Sequence, residues 1–354
     1  MKLTRSEFQN YIHSYEQDEI FYRDLYFAEK EHPETFMEYC QSLDREMIAQ
    51  RKLYVPALRK EGWLPYLNEG TLFQDFTGDI MLSKHYRYTP AFAHEHEFFE
   101  IMCIYDGTVK TTIQGIPHTL QQGDVCIIPP HTRHSVSIFD DSIAINILVR
   151  TSAFQSTFFQ TLTADSALSQ FFTHVLYHKT EGNFLIFHTG NDKIVMKSVE
   201  KLFIEYLGHE KYSYTFLNSM LILFWAKLLR YHENDIESIL TKNSTGKSVT
   251  EILNYLNQNF QIASLSDTAA HFGYSSSHFS KLIKEGTGRT FLQIIRDIKL
   301  NQACRALRET TLSIPSICKL VGYETTEHFM RTFKKAYGMT PGEYRKTSSS
   351  LLEK

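Results

Sequence analysis

The chain of 354 residues carries a net charge of −3 at pH 7, and its length allows two or three domains with full hydrophobic cores. The charge argues against a general polyanion binder, but it is unevenly distributed. From Lys247 to the end, 15 Lys and Arg stand against nine Asp and Glu, a net of +6, whereas the remainder has a net of −9. This asymmetry predicts a basic C-terminal module with affinity for phosphate on an acidic body.

Cysteine usage and hydropathy indicate a cytoplasmic protein. The first nine residues contain charges and no apolar core, so we expect no signal peptide. The longest apolar run, Met220–Ala226, is too short to span a bilayer, and we expect no membrane partner. An odd, scattered set of cysteines without a CxxC pair favours reduced thiols. These cysteines are Cys40, Cys103, Cys126, Cys304 and Cys318.

Residues 1–75 are predicted to form a helical N-terminal extension. The segments Glu7–Glu19 and Pro33–Lys60 mix apolar and charged residues at helical spacing and contain almost no glycine. We expect this extension to pack on the domain that follows it or on a partner subunit.

Residues 76–150 show the alternating pattern of β-strands. Turn signals such as Asp106-Gly107, Gly115-Ile116-Pro117 and Gln122-Gly123-Asp124 separate short apolar runs. Many short strands with regular turns predict an antiparallel β jelly-roll barrel. The expected strands contain Ile80 and Leu82, Phe98–Tyr105, Val109–Ile113, Val125–Ile128, Val136–Ile138 and Ile143–Val149.

Helical spacing returns over residues 151–235. The predicted chain is therefore a multi-domain α+β protein with helical segments before and after the barrel in sequence. Asp192–Leu207 and Tyr214–Tyr231 are both amphipathic. They are either a dimerisation or signal-transmission region or ordinary core helices, and the pattern favours neither. The polar stretch 236–247 predicts an interdomain linker that precedes an all-α module at 248–348.

The C-terminal module contains an internal repeat. From Phe279 and Phe329 onward the two copies are offset by 50 residues, and each copy follows a short helix and a glycine turn. In the first copy we expect Ser266-Asp267 to cap a helix over Thr268–Phe272. In the second copy we expect Ser313 to be the cap. A helix, a glycine turn and a second helix are typical of a helix-turn-helix unit, so the repeat predicts two of them.

The second helix of each copy is expected to bury its aromatic residues and expose a polar, basic face. Such a face suits a helix that lies in the major groove beside phosphates; a solvated bundle face is the alternative. Between the copies, Thr290–Arg308 would form a helix of about 28 Å, which could hold the two readers about one DNA turn apart. The outward positions are Ser277, Ser280, Lys281 and Lys284, then Glu327, Met330, Arg331 and Lys334.

The segment from about Val249 to Lys346 resembles the DNA-binding domain of AraC/XylS-type transcription regulators. The resemblance implies a bipartite reader that inserts one helix of each unit into adjacent major grooves. Because Ser277 and Ser280 are short, we expect the second unit to carry more of the sequence specificity. The markers are Gly273-Tyr274, Phe279, Gly288, Gly322-Tyr323, His328-Phe329 and Tyr337–Arg345. The implied DNA-binding residues are Ser276, Ser277, Ser280, Lys281, Lys284, Thr326, Glu327, Met330, Arg331 and Lys334.

Histidines in the predicted barrel resemble the two cupin motifs. His94-x-His96-x3-Glu100 is followed downstream by His134, and in metal-binding cupins the corresponding residues hold a divalent ion. The glycine expected before the first histidine is missing here, and His131 replaces the glycine of the second motif. These departures favour a polar cluster that faces an effector over a bound metal, and we expect no cofactor. The predicted effector-binding residues are Arg87, His94, His96, Glu100, His131 and His134.

The combined features predict a sequence-specific transcription regulator rather than an enzyme, with a cupin-like barrel that senses a small polar effector such as a sugar. The resemblance implies an activator, a homodimer, and contacts with promoter DNA and RNA polymerase. Two alternatives remain open. One is a cupin metalloenzyme with a DNA-binding regulatory tail, and the other is a barrel that binds no ligand and serves only assembly.

Overall fold

The computed structural model describes residues 3–58, 66–73, 78–158, 184–238, 246–287 and 289–349, which belong to two compact units. The first unit contains Met1–Asn68, Ile80–Val149 and Phe184–Ser238, and the second contains Glu69–Asp79, Arg150–Asn183 and Ile239–Lys354. Gly288, residues 159–183 of the region predicted to be helical, and the middle of the predicted linker lie outside the described residues. No helix in the described segments is long and apolar enough to cross a bilayer.

The predicted helical extension consists of short helices because capping residues interrupt it. Within the predicted segment Glu7–Glu19 the chain leaves the helix at Ser14, and a capping box between Glu16 and Glu19 begins the next helix. Asp44 caps a further helix by accepting two backbone N–H bonds. The helices are α1 (Arg5–His13), α2 (Gln17–Glu31), α3 (Phe36–Ser42) and α4 (Arg45–Gln50), followed by a 3₁₀ turn at Pro56–Leu58.

Two antiparallel sheets form the centre of the first unit. The strands are β1 (Tyr66–Leu67), β2 (Ile80–Lys84), β3 (Glu95–His96), β4 (Phe99–Asp106), β5 (Thr108–Ile113), β6 (Ile116–Gln121), β7 (Val125–Ile128), β8 (His134–Ser137), β9 (Ile143–Val149), β10 (Leu185–Phe187) and β11 (Ile236–Ser238). The larger sheet has the order β11-β10-β7-β4-β9-β2 and the smaller has the order β6-β5-β8, while β1 and β3 form a short parallel pair. Met102 and Ile104 from the larger sheet share one buried core with Val109 and Val136 from the smaller.

Four strands differ from the sequence-based expectation. β1 lies inside residues 1–75, which were predicted to be helical, and it pairs with β3. β10 and β11 come from the predicted helical region and the predicted linker, yet they extend the larger sheet beside β7. Three residues are too few for a period-2 pattern to be recognised, so these strands depend on the partners that the fold supplies. β6 lies where a turn was expected; it is an edge strand, a position that tolerates Pro117.

The two amphipathic helices predicted near the end of the first unit are present. They are α7 (Lys193–Gly208) and α8 (Ser213–His232), and they pack against each other. α1 lies on α7, where the rings of Phe8 and Phe203 meet edge to face at 5.7 Å and Arg5 pairs with Glu200 at 2.9 Å. The N-terminal extension therefore belongs to the packed structure of the first unit.

A buried carboxylate attaches α2 to the end of β2. Glu19 has no exposed surface, and its two oxygens are paired with the Lys84 ammonium and the Arg87 guanidinium, the latter at 2.8 Å. Burial opposes ionisation of Glu19, but hydrogen bonds from Arg87 and Lys84 outweigh it and hold the pKa below its usual value. Arg87 also lies over the ring of Tyr15 at 3.6 Å. The extension therefore packs on the domain that follows it, which is one of the two placements expected from the sequence.

The described part of the second unit is helical. It contains α5 (Glu69–Leu72), α6 (Thr151–Phe158), α9 (Gly246–Asn259), α10 (Leu265–His271), α11 (Ser276–Thr287), α12 (Phe291–Glu309), α13 (Ile314–Leu320), α14 (Thr326–Tyr337) and α15 (Pro341–Ser349). A buried core of Leu307, Ile317, Phe329 and Phe333, among others, joins the last four of these helices.

The residues directly before β2 and after β9 belong to the second unit, which differs from the predicted boundaries at 76 and 150. Asp79 accepts a hydrogen bond from Arg308 of α12, and both side chains are nearly fully buried. Arg150 lies 3.6 Å from the same carboxylate, and its backbone N–H donates to the Asp79 carbonyl. Because β2 and β9 pair along their length, their ends bring Asp79 and Arg150 together.

We expect Glu19→Gln to lower the free energy of unfolding by about 3–5 kcal/mol, because it leaves two buried cations without a counter-charge. The exposed Glu29 on the same helix supplies the control Glu29→Gln, which should have little effect. The folded-state pKa of Glu19 is depressed, so its contribution is present above the unfolded pKa of about 4.3 and is lost as pH falls through the folded value. Urea denaturation between pH 7 and pH 3 measures both effects, and a pH-independent difference between the two variants would contradict the assignment.

Candidate effector site and nucleic-acid interface

The two halves of the second unit repeat the same turn. Gly273 follows α10 and Gly322 follows α13, and each has φ of +74°, in the left-handed region that favours glycine. The residue after each glycine donates its backbone N–H back into the preceding helix, Tyr274 to Ala269 at 2.8 Å and Tyr323 to Cys318 at 3.0 Å. Both acceptor residues are buried. The sequence repeat therefore corresponds to a repeated backbone geometry.

The helices that follow the turns also begin and pack alike. Ser275 and Thr325 each accept the backbone N–H of the histidine three residues later at 3.3 Å, which starts α11 and α14. Phe279 and Phe329 have no exposed surface. The prediction that these two phenylalanines belong to the core is confirmed.

The predicted cap of the first helix is wrong. The structure places the N-cap at Ser264, whose hydroxyl accepts the backbone N–H of Asp267, and α10 begins at Leu265. Ser266 lies inside the helix, two residues after the true cap. Ser264 and Ser266 have the same side chain, so composition alone did not distinguish them. Ser313 caps α13 as expected, and Pro315 lies in its first turn.

The predicted DNA-facing residues lie on the outer surface of α11 and α14. Lys281 is 72% exposed and approaches Glu285 at 3.7 Å, a solvated pair worth little. Met330 is 40% exposed, a large apolar side chain kept on the surface. Exposed residues are Ser276, Ser277, Lys281, Lys284, Glu327, Met330, Arg331 and Lys334, and Ser280 and Thr326 are partly buried. Arg331 also lines a groove of about 990 Å³ between α12 and α14, together with Arg296 and Lys335.

In the first unit, three histidines surround one buried carboxylate. His96 Nε2 lies 3.2 Å and His134 Nε2 lies 3.3 Å from Oε2 of Glu100. A pair of backbone hydrogen bonds joins His94 and His134, which brings their rings to 4.2 Å between centroids. His96, Glu100 and His134 are nearly fully buried, and His94 is partly buried. The structure therefore brings four of the predicted effector-binding residues together.

Burial controls the protonation of this histidine cluster. Loss of solvation lowers the pKa of His94 to about 3, and it also lowers the pKa of His96. Burial opposes ionisation of Glu100, but His134 and His96 outweigh it and hold its pKa well below the usual value. The Nε2 atoms of His96 and His134 lie close to the Glu100 carboxylate, yet neither makes a well-oriented hydrogen bond in the described part of the chain.

Two predicted effector-binding residues are placed differently. Arg87 lies apart from the cluster because its guanidinium is committed to Glu19, which corrects the prediction that groups it with the histidines. His131 has an exposed side chain and touches the cluster through its backbone N–H, which donates to the His96 carbonyl. His85, outside the predicted set, lies close enough for Glu100 and His134 to influence its pKa, which burial lowers. Its position directly after β2 was the only signal in the sequence.

The donor set of this cluster fits a transition-metal ion. Single ligand atoms from His94, Glu100 and His134 all lie within 4.8 Å of one another. Imidazole nitrogen and carboxylate oxygen are the donors that zinc and iron sites use. The cluster can therefore hold either an ion or a polar ligand.

Comparisons with known proteins find a match for each of two domains of the chain. The AraC-like ligand binding domain matches residues 81–181, and the helix-turn-helix domain matches residues 268–347. The HTH-type transcriptional activator RhaS of Klebsiella pneumoniae (strain 342) is 26% identical over 264 residues, 73% of this chain and 89% of that protein. RhaS of Escherichia coli (strain K12 / DH10B) is 24% identical over 262 residues, with the same coverage of 73% and 89%. The C-terminal domain of AraT, a response regulator from Geobacillus stearothermophilus, is 30% identical, covering 30% of this chain and 88% of that one with a TM-score of 0.29.

A ligand-binding domain of antiparallel sheets followed by a helical DNA-binding domain defines a ligand-sensing transcription regulator. The chain belongs to the AraC family of these regulators, with an N-terminal sensory domain.

Substituting alanine for the glycine of each turn should lower the free energy of unfolding by different amounts, because the two turns have different surroundings. Gly273→Ala should cost about 1–2 kcal/mol, since an added Cβ meets no atom within 4 Å and only the left-handed backbone is penalised. Gly322→Ala should cost about 1–3 kcal/mol more, because its Cβ would lie 2.7 Å from the Gln261 carbonyl oxygen. Urea denaturation followed by far-UV circular dichroism measures the difference, and equal costs would contradict it.

Proposed function

We propose that this protein is a transcription activator that binds promoter DNA through two helix-turn-helix units and responds to a small polar effector. α10 and α11 form the first unit, and α13 and α14 form the second. The single observation that carries the proposal is the repeated geometry of turn, cap and buried phenylalanine with a polar face outward. If these helices served only to stabilise the fold, the buried positions would be repeated but the exposed positions would not need to be. The repetition of both therefore supports DNA binding.

The two reading helices differ in the chemistry they offer to DNA. The first carries short hydroxyls and lysines, which suit phosphate contacts: Ser276, Ser277, Ser280, Lys281 and Lys284. The second carries longer groups that discriminate base edges: Thr326, Glu327, Met330, Arg331 and Lys334. α12, with 19 residues and a length of about 28 Å, separates the two units by a distance compatible with adjacent major grooves. Sequence specificity then resides mainly in the second unit.

The sensory domain is a cupin-like jelly roll over residues 76–150, and residues 151–235 form the dimerisation and transmission region. Phe216, Leu223 and Tyr231 of α8 are 57%, 57% and 48% exposed and fall within one arc of the helix. Such an apolar stripe supports a homodimer through α8. The part of the segment 236–247 that follows β11 is proposed to connect the sensory domain to the DNA-binding domain at 248–348. The relatives are named HTH-type transcriptional activators, which supports activation. Contact with RNA polymerase is part of the proposal.

The effector is proposed to bind at His94, His96, Glu100 and His134, and a carbohydrate is the leading class. Buried polar atoms without a hydrogen-bond partner, here Nε2 of His96 and Nε2 of His134, are the kind of groups that fix a polar ligand in a pocket. Binding shifts the population of conformers that present the DNA-binding domains correctly, which requires different effector affinities for DNA-bound and free protein.

Arg331→Ala should weaken binding to a selected operator by about 1–3 kcal/mol and relax base preference at one position. Lys284→Ala should weaken binding to operator and random DNA about equally and reduce the salt dependence by roughly one counterion. Lys201→Ala on the exposed surface of α7 removes the same charge outside the DNA-binding domain and is the control. Operators come from selection with genomic fragments, and fluorescence anisotropy at several salt concentrations gives the affinities. Unchanged operator affinity of Arg331→Ala would refute the assigned role of this helix.

Glu100→Gln should abolish the effector-induced change in operator affinity, because the carboxylate that orders the cluster is removed. A thermal-shift screen of sugars and related polar metabolites identifies the effector, and operator titrations with and without it provide the measurement. An intact effector response in Glu100→Gln would place the effector site elsewhere in the domain. Consumption of the effector by the wild-type protein would favour the metalloenzyme alternative instead.

A further inference from the structure

A cavity of about 520 Å³ lies in the first unit, where α1, α7 and the end of β4 meet. Each helix lines it with residues three or four positions apart, so one face of each helix is involved. These residues include Arg5, Gln9, His13, Lys193, Lys197 and Glu200. Asp106 of β4 also lines the cavity, about 20 Å along the strand from Glu100 of the histidine cluster. The cavity is therefore separate from the candidate effector site, and its volume is typical of small-molecule pockets.

The two carboxylates among the residues that line this cavity already have partners. Glu200, which is 7% exposed, accepts hydrogen bonds from Nε of Arg5 at 2.9 Å and from the Tyr105 hydroxyl at 2.8 Å. One oxygen of Asp106 accepts the next backbone N–H at 2.9 Å, and the other lies 3.8 Å from Nε2 of His13. Each acidic group of the cavity is thus engaged by a group other than the two lysines.

Lys193 and Lys197 are the cations of the cavity that lack a counter-charge. They lie one turn apart on α7, and neither forms an ion pair with a carboxylate in the part of the chain that the structure describes. The acidic residue next to them in sequence, Asp192, accepts the backbone N–H of Ile194 and lies 3.0 Å from Nε2 of His232. Like charges four residues apart on a helix repel each other, and an anion held between them would offset that repulsion.

We propose that this cavity binds the phosphate group of a small phosphorylated metabolite. The Cβ atoms of two residues four apart on a helix are about 5–6 Å from each other, so the two ammonium groups can converge on one anion. A phosphate monoester carries nearly two negative charges and presents three strong acceptor oxygens. Lysine binds phosphate as a point charge on a flexible stem. A single carboxylate would leave one of the two lysines without a counter-charge.

The remaining lining fits a molecule that carries hydroxyl groups beside its phosphate. Gln122 and Asn191 line the cavity, and their carboxamides can both donate to and accept from a hydroxyl. Gln122 already donates to the Tyr105 carbonyl at 3.2 Å, which fixes its side chain at the rim of the cavity. Met196, only 7% exposed, adds an apolar surface for a carbon skeleton. A sugar phosphate or a phosphorylated polyol combines these features.

Phosphate binding here does not depend on the proposed regulatory function, because the cavity contains no residue of the histidine cluster or of the DNA-binding domain. Failure of the two proposals is therefore distinguishable. Protein that binds its operator but no phosphate contradicts only this site, and protein that binds phosphate but no operator contradicts only the regulator. A ligand that contacts both helices should also strengthen the attachment of α1 to α7 and raise the melting temperature.

The experiment uses the full-length protein in a zwitterionic buffer free of phosphate and sulfate. Calorimetric titrations with inorganic phosphate, glycerol 3-phosphate and glucose 6-phosphate measure the affinities. All three should bind with one-to-one stoichiometry, and at least one of the two esters should bind more tightly than inorganic phosphate. Wild-type protein that binds none of the three would overturn the site. Equal affinities for all three would overturn the assignment of an organic ligand.

Three lysine variants locate the binding. Lys193→Gln and Lys197→Gln should each weaken the tightest probe by about 10–100-fold, the usual effect of losing a hydrogen bond to a charged group. Both side chains are exposed, so the unliganded variants should be as stable as the wild type. Lys201→Gln removes the next exposed lysine of α7, which does not line the cavity, and should bind as the wild type does.

The basic DNA-binding domain offers a competing place for phosphate, and a double variant separates the two. Binding that persists unchanged in Lys193→Gln/Lys197→Gln would place the anion elsewhere and refute the cavity. A loss in Lys201→Gln as large as in Lys197→Gln would show an effect of net charge instead of contact, and it would refute the site as well.

Discussion

The need of each buried carboxylate for a cation determines how the segments of this protein are joined. Glu19 is paired with Lys84 and Arg87, which attaches the N-terminal helices to the end of β2. Asp79, directly before the same strand, is paired with Arg308 of α12, the helix between the two copies of the repeat. Removal of one member of a buried pair leaves an uncompensated charge, which costs far more than an exposed ion pair contributes.

Glu100, another buried carboxylate, is surrounded by histidines, whose charge is conditional. Permanent cations would have made this part of the first unit a purely structural ion pair. Imidazole rings leave lone pairs available, so the same physical requirement creates a place where an external cation or a polar ligand is favourable. The candidate sensory site therefore lies at the carboxylate, of these three, whose ionic contacts in the described chain are with histidines.

Much of the DNA-binding domain was predictable because its signals are local. The turn glycines have the left-handed backbone that their position in the repeat implies, and Phe279 and Phe329 are buried as the helical spacing predicts. The N-cap of α10 was predicted at Ser266 but lies at Ser264. Two serines close in sequence could both serve as the cap, and only the backbone conformation shows which one does. The short strands β10 and β11 were missed because their hydrogen-bond partners are far away in the sequence.

The sequence by itself determined the family, the two-part organisation and the outward residues of the reading helices, because these depend on periodicity, glycine positions and the distribution of charge. Only the tertiary structure decided which charged groups meet. Arg87 precedes the histidine motif in sequence but is bound to Glu19, whereas His94 and His134, 40 residues apart, lie side by side across a backbone bridge. Electrostatic energy and metal coordination depend on distances of a few ångströms, and sequence separation contains no information about such distances.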